Sequence, residues 1–158
     1  MEILVEGDII LESVSRRVEN YGQELCDLLE NLRDTVKDAG GIGIAAPQVG
    51  ILLRVVVVCV DEKEIIEMVN PEIVETSGVQ RMREGCLSCP DFLAVTRRPE
   101  KVKVEAYDRN GKKFKINASG LKACAICHEI DHLDGVLFKS RLDASELFRT
   151  LKFGKFLW

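Results

Sequence analysis

Apolar residues at Leu25, Leu28, Leu29, Leu32 and Val36 recur at steps of three and four, the period with which an α-helix returns one stripe to a core. They predict a helix over residues 21–39, ended by Gly40-Gly41, with Cys26 a small core residue rather than a ligand. The pattern then changes. Residues 52–60 hold the β-branched run Val55-Val56-Val57-Val58, which reads as a strand buried on both faces. Shorter strand-like pieces follow at 65–69, 72–76, 94–97, 102–107 and 113–117. Turn chemistry separates them at Asn70-Pro71, Ser77-Gly78 and Asn110-Gly111, the last a strong hairpin signal. A second helix is predicted over 120–135, with Ser119 as N-cap and Gly135 at its end. Residues 1–18 are mixed and read as a surface loop or edge strand. One helix, many short strands and a second helix describe an α+β fold, with antiparallel β-sheets packed around the second helix. The N-terminal helix and a short C-terminal helix complete it, in a single domain spanning 1–158.

Composition narrows the function classes. With 158 residues, 46% hydrophobic and 30% charged, the chain has the size and balance of a soluble domain with its own core. No basic signal segment opens it, and the longest apolar run, 55–60, is too short to span a membrane. The expectation is a cytoplasmic protein whose six cysteines stay reduced. A net charge of −4 argues against a surface built for DNA.

Both histidines of the chain lie in the second helix, as His128-Glu129-Ile130-Asp131-His132. Four residues advance a helix by about 6 Å and return to nearly the same face, so His128 and His132 can present two imidazoles to one metal ion. Glu129 sits one residue round, where its carboxylate can act as general base without being a ligand. The bland alternative is an amphipathic helix with satisfied core histidines. A catalytic site needs a third protein ligand and an open position; Cys86 or Cys89, in the stretch 83–90, could supply the ligand. Earlier in the chain, Gly41 and Gly43 and the pair Ala45-Ala46 allow close backbone approach, and Gln48 can both donate and accept hydrogen bonds. That stretch makes a poor phosphate loop, and its bland reading is a glycine turn feeding a strand. A competing metal pattern pairs Cys86 and Cys89 with Cys124 and Cys127 in a four-thiolate site. It leaves the two histidines unexplained, and the second pair lies within a helix that has no knuckle.

Three motifs in order, Gly41-Ile42-Gly43-Ile44-Ala45-Ala46-Pro47-Gln48, Glu84-Gly85-Cys86-Leu87-Ser88 and His128-Glu129-Ile130-Asp131-His132-Leu133, make the sequence resemble the peptide deformylases. That resemblance implies a metal-dependent hydrolase that removes the formyl group from the N-terminal formyl-methionine of newly synthesised proteins. Carried over by position, it implies Cys86, His128 and His132 as metal ligands and Glu129 as the acid and base. Gln48 and the Leu87 backbone N–H would face the developing oxyanion, and Ile42, Gly43 and Gly85 would pair with an extended peptide. Leu121, Cys124 and Ala125 would line a methionine pocket, and Glu84 with Arg98 would form a buried supporting ion pair. The resemblance implies Fe(II) in the cell, with Zn(II), Ni(II) or Co(II) also suited to a thiolate and two imidazoles. The chain departs from the family pattern at Cys127, Cys89 and Leu93, which bears on pocket polarity and on the surroundings of the ligands.

Two other classes compete. A general zinc endopeptidase would share the histidine motif, and a non-enzymatic zinc-stabilised module would need Cys89 and Cys124. The tail, 139–158, carries five basic residues against two acidic ones. It reads either as a docking helix through Leu147, Phe148 and Leu151 or, less favourably, as a transient ribosome contact through RNA phosphates.

Overall fold

The computed structural model describes residues 1–61 and 64–142. Helix α1 is Gln23–Asp38 and helix α2 is Gly120–Leu133. The strands are β1 Gly43–Ala45, β2 Val55–Asp61, β3 Glu64–Ser77, β4 Gln80–Cys86, β5 Cys89–Arg98, β6 Lys101–Tyr107 and β7 Lys113–Ser119. Five form one sheet in the order β1-β2-β3-β6-β7, and β4 pairs with β5 alone. Every strand pairing is antiparallel.

The valine run explains the layering. Val55 to Val58 are all inaccessible to solvent, and alternate side chains leave a strand on opposite faces. Val55 and Val57 pack with Leu25, Leu29, Leu32 and Val36 of α1, whereas Val56 and Val58 pack with Ala123, Ile126, Ile130 and Leu133 of α2. The two helices thus cover opposite faces of one sheet. Helix α1 is amphipathic, as its spacing predicts, and Cys26 lies half-buried at the margin of its stripe. Helix α2 is different: every residue of 123–133 is buried. A helix buried all round is normally apolar throughout, yet this one carries His128, Glu129, Asp131 and His132 in its interior half.

Three features depart from the sequence reading. Asn70-Pro71 does not end a strand; β3 runs through it with a shift of register between Val69 and Glu72. Asn70 takes φ 51 there, a left-handed conformation that Asn tolerates better than most residues, and a bulge is where a strand accommodates proline. Its side chain fixes the kink: Oδ1 accepts from Val18 N at 2.8 Å, and Nδ2 donates to Val18 O at 2.9 Å and to Tyr21 Oη at 3.0 Å. Strand β4 was not predicted, because Arg81 and Arg83 occupy its outward positions and leave little alternation to read. Ser119 does hold the N-cap position of α2, in an extended conformation, but its side chain makes no capping bond.

The expected hairpin forms, with β6 and β7 in unbroken register from Lys101↔Ser119 to Tyr107↔Lys113. Asp108 Oδ1 accepts from Asn110 N and Lys112 N, each at 2.9 Å, and Gly111 takes φ 79 in the turn. Gly135 ends α2 at φ 70, where a β-carbon would strike the Glu12 carbonyl. After it, a short 3-10 segment, Phe138–Arg141, buries Phe138. The short C-terminal helix expected beyond that point lies outside the described residues.

Asn70→Ala should cost about 3 kcal/mol, since it leaves the buried Val18 backbone groups unpaired and puts alanine at a positive φ. Urea unfolding followed by circular dichroism measures this, and a cost below about 1 kcal/mol would show that the kink is held otherwise.

Candidate metal centre and active site

One thiol and two imidazoles converge where β4 meets α2. Cys86 closes β4, while His128 and His132 stand one helical turn apart on α2 with ring centroids 5.0 Å apart. The ligand atoms of the three residues all lie within 4.8 Å of one another. Cys86 Sγ is 3.2 Å from His132 Nε2. Among the described residues no other group of His, Cys, Asp and Glu gathers in this way, so Cys89, Cys124 and Cys127 do not form the four-thiolate site.

Protonation bears differently on the three donors. Burial pushes His132 well below the usual imidazole range, which keeps a lone pair available. His128 is raised: burial opposes its charge, but the hydrogen bond to Glu84 and the nearby Glu129 and Glu84 carboxylates outweigh that. Its Nδ1 meets Glu84 Oε2 at 2.8 Å, so the proton sits on Nδ1 and Nε2 is left to ligate. A hydrogen bond to Cys89, together with burial, pushes the Cys86 thiol up; only a neighbouring cation would hold it as thiolate. A buried thiol and two imidazoles with few competing partners fit a first-row divalent ion.

Glu84 does not stand alone. Arg98 donates to it from Nε at 2.7 Å and from Nη2 at 2.9 Å, and Thr96 Oγ1 also donates to it. The sequence reading paired Glu84 with Arg98 but missed the next link. Arg98 Nη1 donates to Asp131 Oδ2 at 2.6 Å, and Asp131 accepts again from Arg141 Nη2 at 2.7 Å. The signal was present, since Asp131 lies between the two histidines, three residues after the first. Although burial opposes ionisation, the hydrogen bonds from Arg98 and His128 hold Glu84 far below the usual carboxylate range.

Glu129 faces a cavity of about 150 Å³ that Cys86, His128, Gln48 and Ala125 also line. Its Oε2 is buried without a protein partner. Burial is the first cause of a pKa raised to about 7, with Glu84 and Asp131 adding to it against His128 and Arg98. Gly43 makes the room: a β-carbon there would collide with the Glu129 carboxyl group. Gln48 follows β1 in a 3-10 turn, Ala46–Val49. Its Oε1 accepts from Ala45 N at 2.8 Å, which orients the amide nitrogen toward Ser88 Oγ at 3.2 Å and Cys86 Sγ at 3.6 Å.

Ile42, Gly43, Gly85, Leu87 and Ala125 line this cavity. Leu121 and Cys124 do not. Leu121 lies in the first turn of α2 and is 38% exposed. Cys124 is fully buried, rotated from Ala125 onto the side of the helix that faces Glu84. Ala39, Gly40, Gly41 and Pro90 also line the cavity; of these the sequence marks only Gly41, as a place of close backbone approach.

The polypeptide deformylase family model matches residues 1–147. A peptide deformylase of Caldicellulosiruptor bescii is 50% identical over 135 residues, 85% of this chain and 81% of that protein. The crystal structure of a peptide deformylase from Legionella pneumophila superposes with a TM-score of 0.87 at 43% identity, covering 90% of this chain and 86% of that one. The enzyme of Synechococcus elongatus, crystallised with actinonin, superposes equally well, with a TM-score of 0.87 at 37% identity over 90% of this chain and 80% of its own. The thiol and paired imidazoles between hairpin and buried helix are thus set in a chain that belongs to the polypeptide deformylase family.

Proposed function

We propose that this chain hydrolyses the formyl amide at the N-terminus of newly made polypeptides that begin with formyl-methionine, releasing formate and a free amine. The observation that carries this reading is the partnerless Glu129 Oε2, poised beside the Cys86, His128 and His132 donor atoms in a cavity fit for a small acyl group. These three residues would hold one divalent ion, which when bound supplies Lewis acidity and makes water a nucleophile near neutral pH. Fe(II) is the ion proposed for the cell, and Zn(II), Ni(II) or Co(II) suit the same donors.

Glu129 takes the proton of the attacking water and returns it to the departing nitrogen, so the carboxyl group ends as it began. Charge builds on the formyl oxygen as the C=O bond opens. The Gln48 amide, pre-oriented by Ala45, and the Leu87 backbone N–H are the donors assigned to it, a kind of contact typically worth about 3 kcal/mol each. Strand β1 is an edge of the five-stranded sheet, so an extended peptide can add to it through Ile42 and Gly43 with Gly85 opposite. Ile42, Leu87 and Ala125 offer apolar surface for the methionine side chain. Glu84 fixes the His128 tautomer, and Arg98 keeps Glu84 ionised; both position a ligand rather than touch substrate. Substrates of this kind arise at the ribosome, which assigns the reaction to the cytoplasm. The C-terminal tail remains a candidate for transient ribosome contact.

Formate release from a formyl-Met-Ala-Ser peptide by protein of measured metal content tests the proposal. Metal-loaded protein that cleaves casein but not this peptide would overturn it. Glu129→Ala should retain its metal and fold while turnover falls by about 10²- to 10⁴-fold; loss of the ion would make Glu129 a ligand instead. Cys86→Ser should lower bound metal sharply and Cys89→Ser should leave it unchanged, as metal analysis after dialysis will show. Arg98→Ala should cost about 3–5 kcal/mol by removing the cation from the buried Glu84 carboxylate and leaving Asp131 only Arg141. It should also weaken metal binding by about 10- to 100-fold through His128, which a competing chelator measures.

A further inference from the structure

Cys89 stands beside the site just described without entering it. It does not line the cavity or join the donor cluster. Yet it is Cα partner to Cys86 across the two-residue turn Leu87-Ser88 that joins β4 to β5. Directly opposed residues of an antiparallel pair have Cα atoms about 4.5–5.5 Å apart, within the span of about 4.4–6.8 Å that a disulfide bridges. Opposed side chains also leave the ribbon on one face, and both cysteines belong to one buried cluster with Ala94 and Phe138.

Access differs between them. Cys86 lines the cavity, whereas Cys89 is only 1% exposed. A small oxidant that follows the path of water therefore meets Cys86 first and finds Cys89 behind it.

We propose that Cys86 and Cys89 form a redox modification site in which hydrogen peroxide oxidises the ligand thiol and Cys89 resolves it as a reversible intramolecular disulfide. The Cys86 sulfur attacks one peroxide oxygen; the O–O bond breaks, leaving a sulfenic acid and one water. The Cys89 sulfur then attacks the sulfenic sulfur, the S–O bond breaks, the S–S bond forms and a second water leaves. Two thiols have supplied the two electrons that reduce one hydrogen peroxide to two waters. A disulfide sulfur carries no negative charge, so Cys86 ceases to be a good ligand and the ion is set free. Without Cys89, the sulfenic acid would advance to sulfinic and sulfonic acids, which thiol reductants do not reverse. The resolving thiol thus converts permanent loss of a ligand into a reversible one.

This rests on Cys86 as a ligand only for the metal release; the disulfide has its own readout. Zinc-loaded protein is treated with hydrogen peroxide and split in two. One part is alkylated and digested with trypsin, which leaves both cysteines in the peptide 84–97; the other is followed with a chromophoric zinc chelator. The wild-type peptide should lose two hydrogens and resist alkylation as zinc appears, and dithiothreitol should restore both thiols and zinc binding. Cys89→Ser and Cys89→Val, the second keeping an apolar group beside Phe138, should instead gain oxygen at Cys86. Their dithiothreitol-recoverable fraction should be smaller on the order of tenfold. A wild-type peptide that gains oxygen at Cys86 without linking to Cys89, or variants that recover as fully as wild type, would overturn the proposal. Disulfide formation with zinc still bound would uphold the modification site and overturn Cys86 as a ligand.

Discussion

Arg98 sits between two buried carboxylates, Glu84 and Asp131, and the site depends on that arrangement. Placing imidazoles and a general base in a helix with no solvent face brings ionisable groups into a region of low dielectric, where unpaired charge is costly. The guanidinium resolves this for three elements at once. It neutralises a strand residue from β4 and a helix residue from α2 while itself belonging to β5. Through Glu84 it reaches His128, and through Asp131 it reaches the helix between the two histidines. Glu129 Oε2 is left without such a partner, as is His132 Nδ1, and Glu129 is the group whose proton affinity needs to be near neutral.

How much of this was legible in the sequence follows from what each residue had to do. Helix α1 could be read because its only task is to bury one stripe, and Leu25 to Val36 record that stripe. The histidine pair could be read because a metal pair on a helix demands a fixed spacing, which His128 and His132 meet, whereas spacing left Cys86 and Cys89 undistinguished. Strand β4 could not, since its pairing partner is far more informative than its own polar side chains. Asn70-Pro71 misled because the residues that terminate strands also build bulges, and only the distant Val18 and Tyr21 decide between them. Leu121 and Cys124 stand outside the cavity lining for a geometric reason. Leu121 shares a face with Ala125 but emerges at the start of the helix, and Cys124 is turned by about 100° toward Glu84.

The hairpin between β4 and β5 concentrates several functions in a few residues. Gly85 and Leu87 border the cavity, Cys86 supplies a donor and Ser88 helps to hold Gln48. Its neighbours in space come from the other end of the chain and from its start: Glu6 N donates to Ser88 O at 2.8 Å, and Lys139 lies over the Phe92 ring at 4.2 Å. A short two-stranded ribbon would be marginal alone; here both termini of the described chain brace it.

Strand β7 ends at Ser119 and α2 begins at Gly120, with no loop between them. The sheet register and the rotational phase of the helix are therefore one quantity. An inserted or deleted residue at this junction would turn α2 by about 100° and carry both histidines away from Cys86, with every local element still well formed. A residue added in the Asn110-Gly111 turn would leave the phase of α2 untouched, but at the strand-to-helix joint the length is set by the angle at which the helix must arrive.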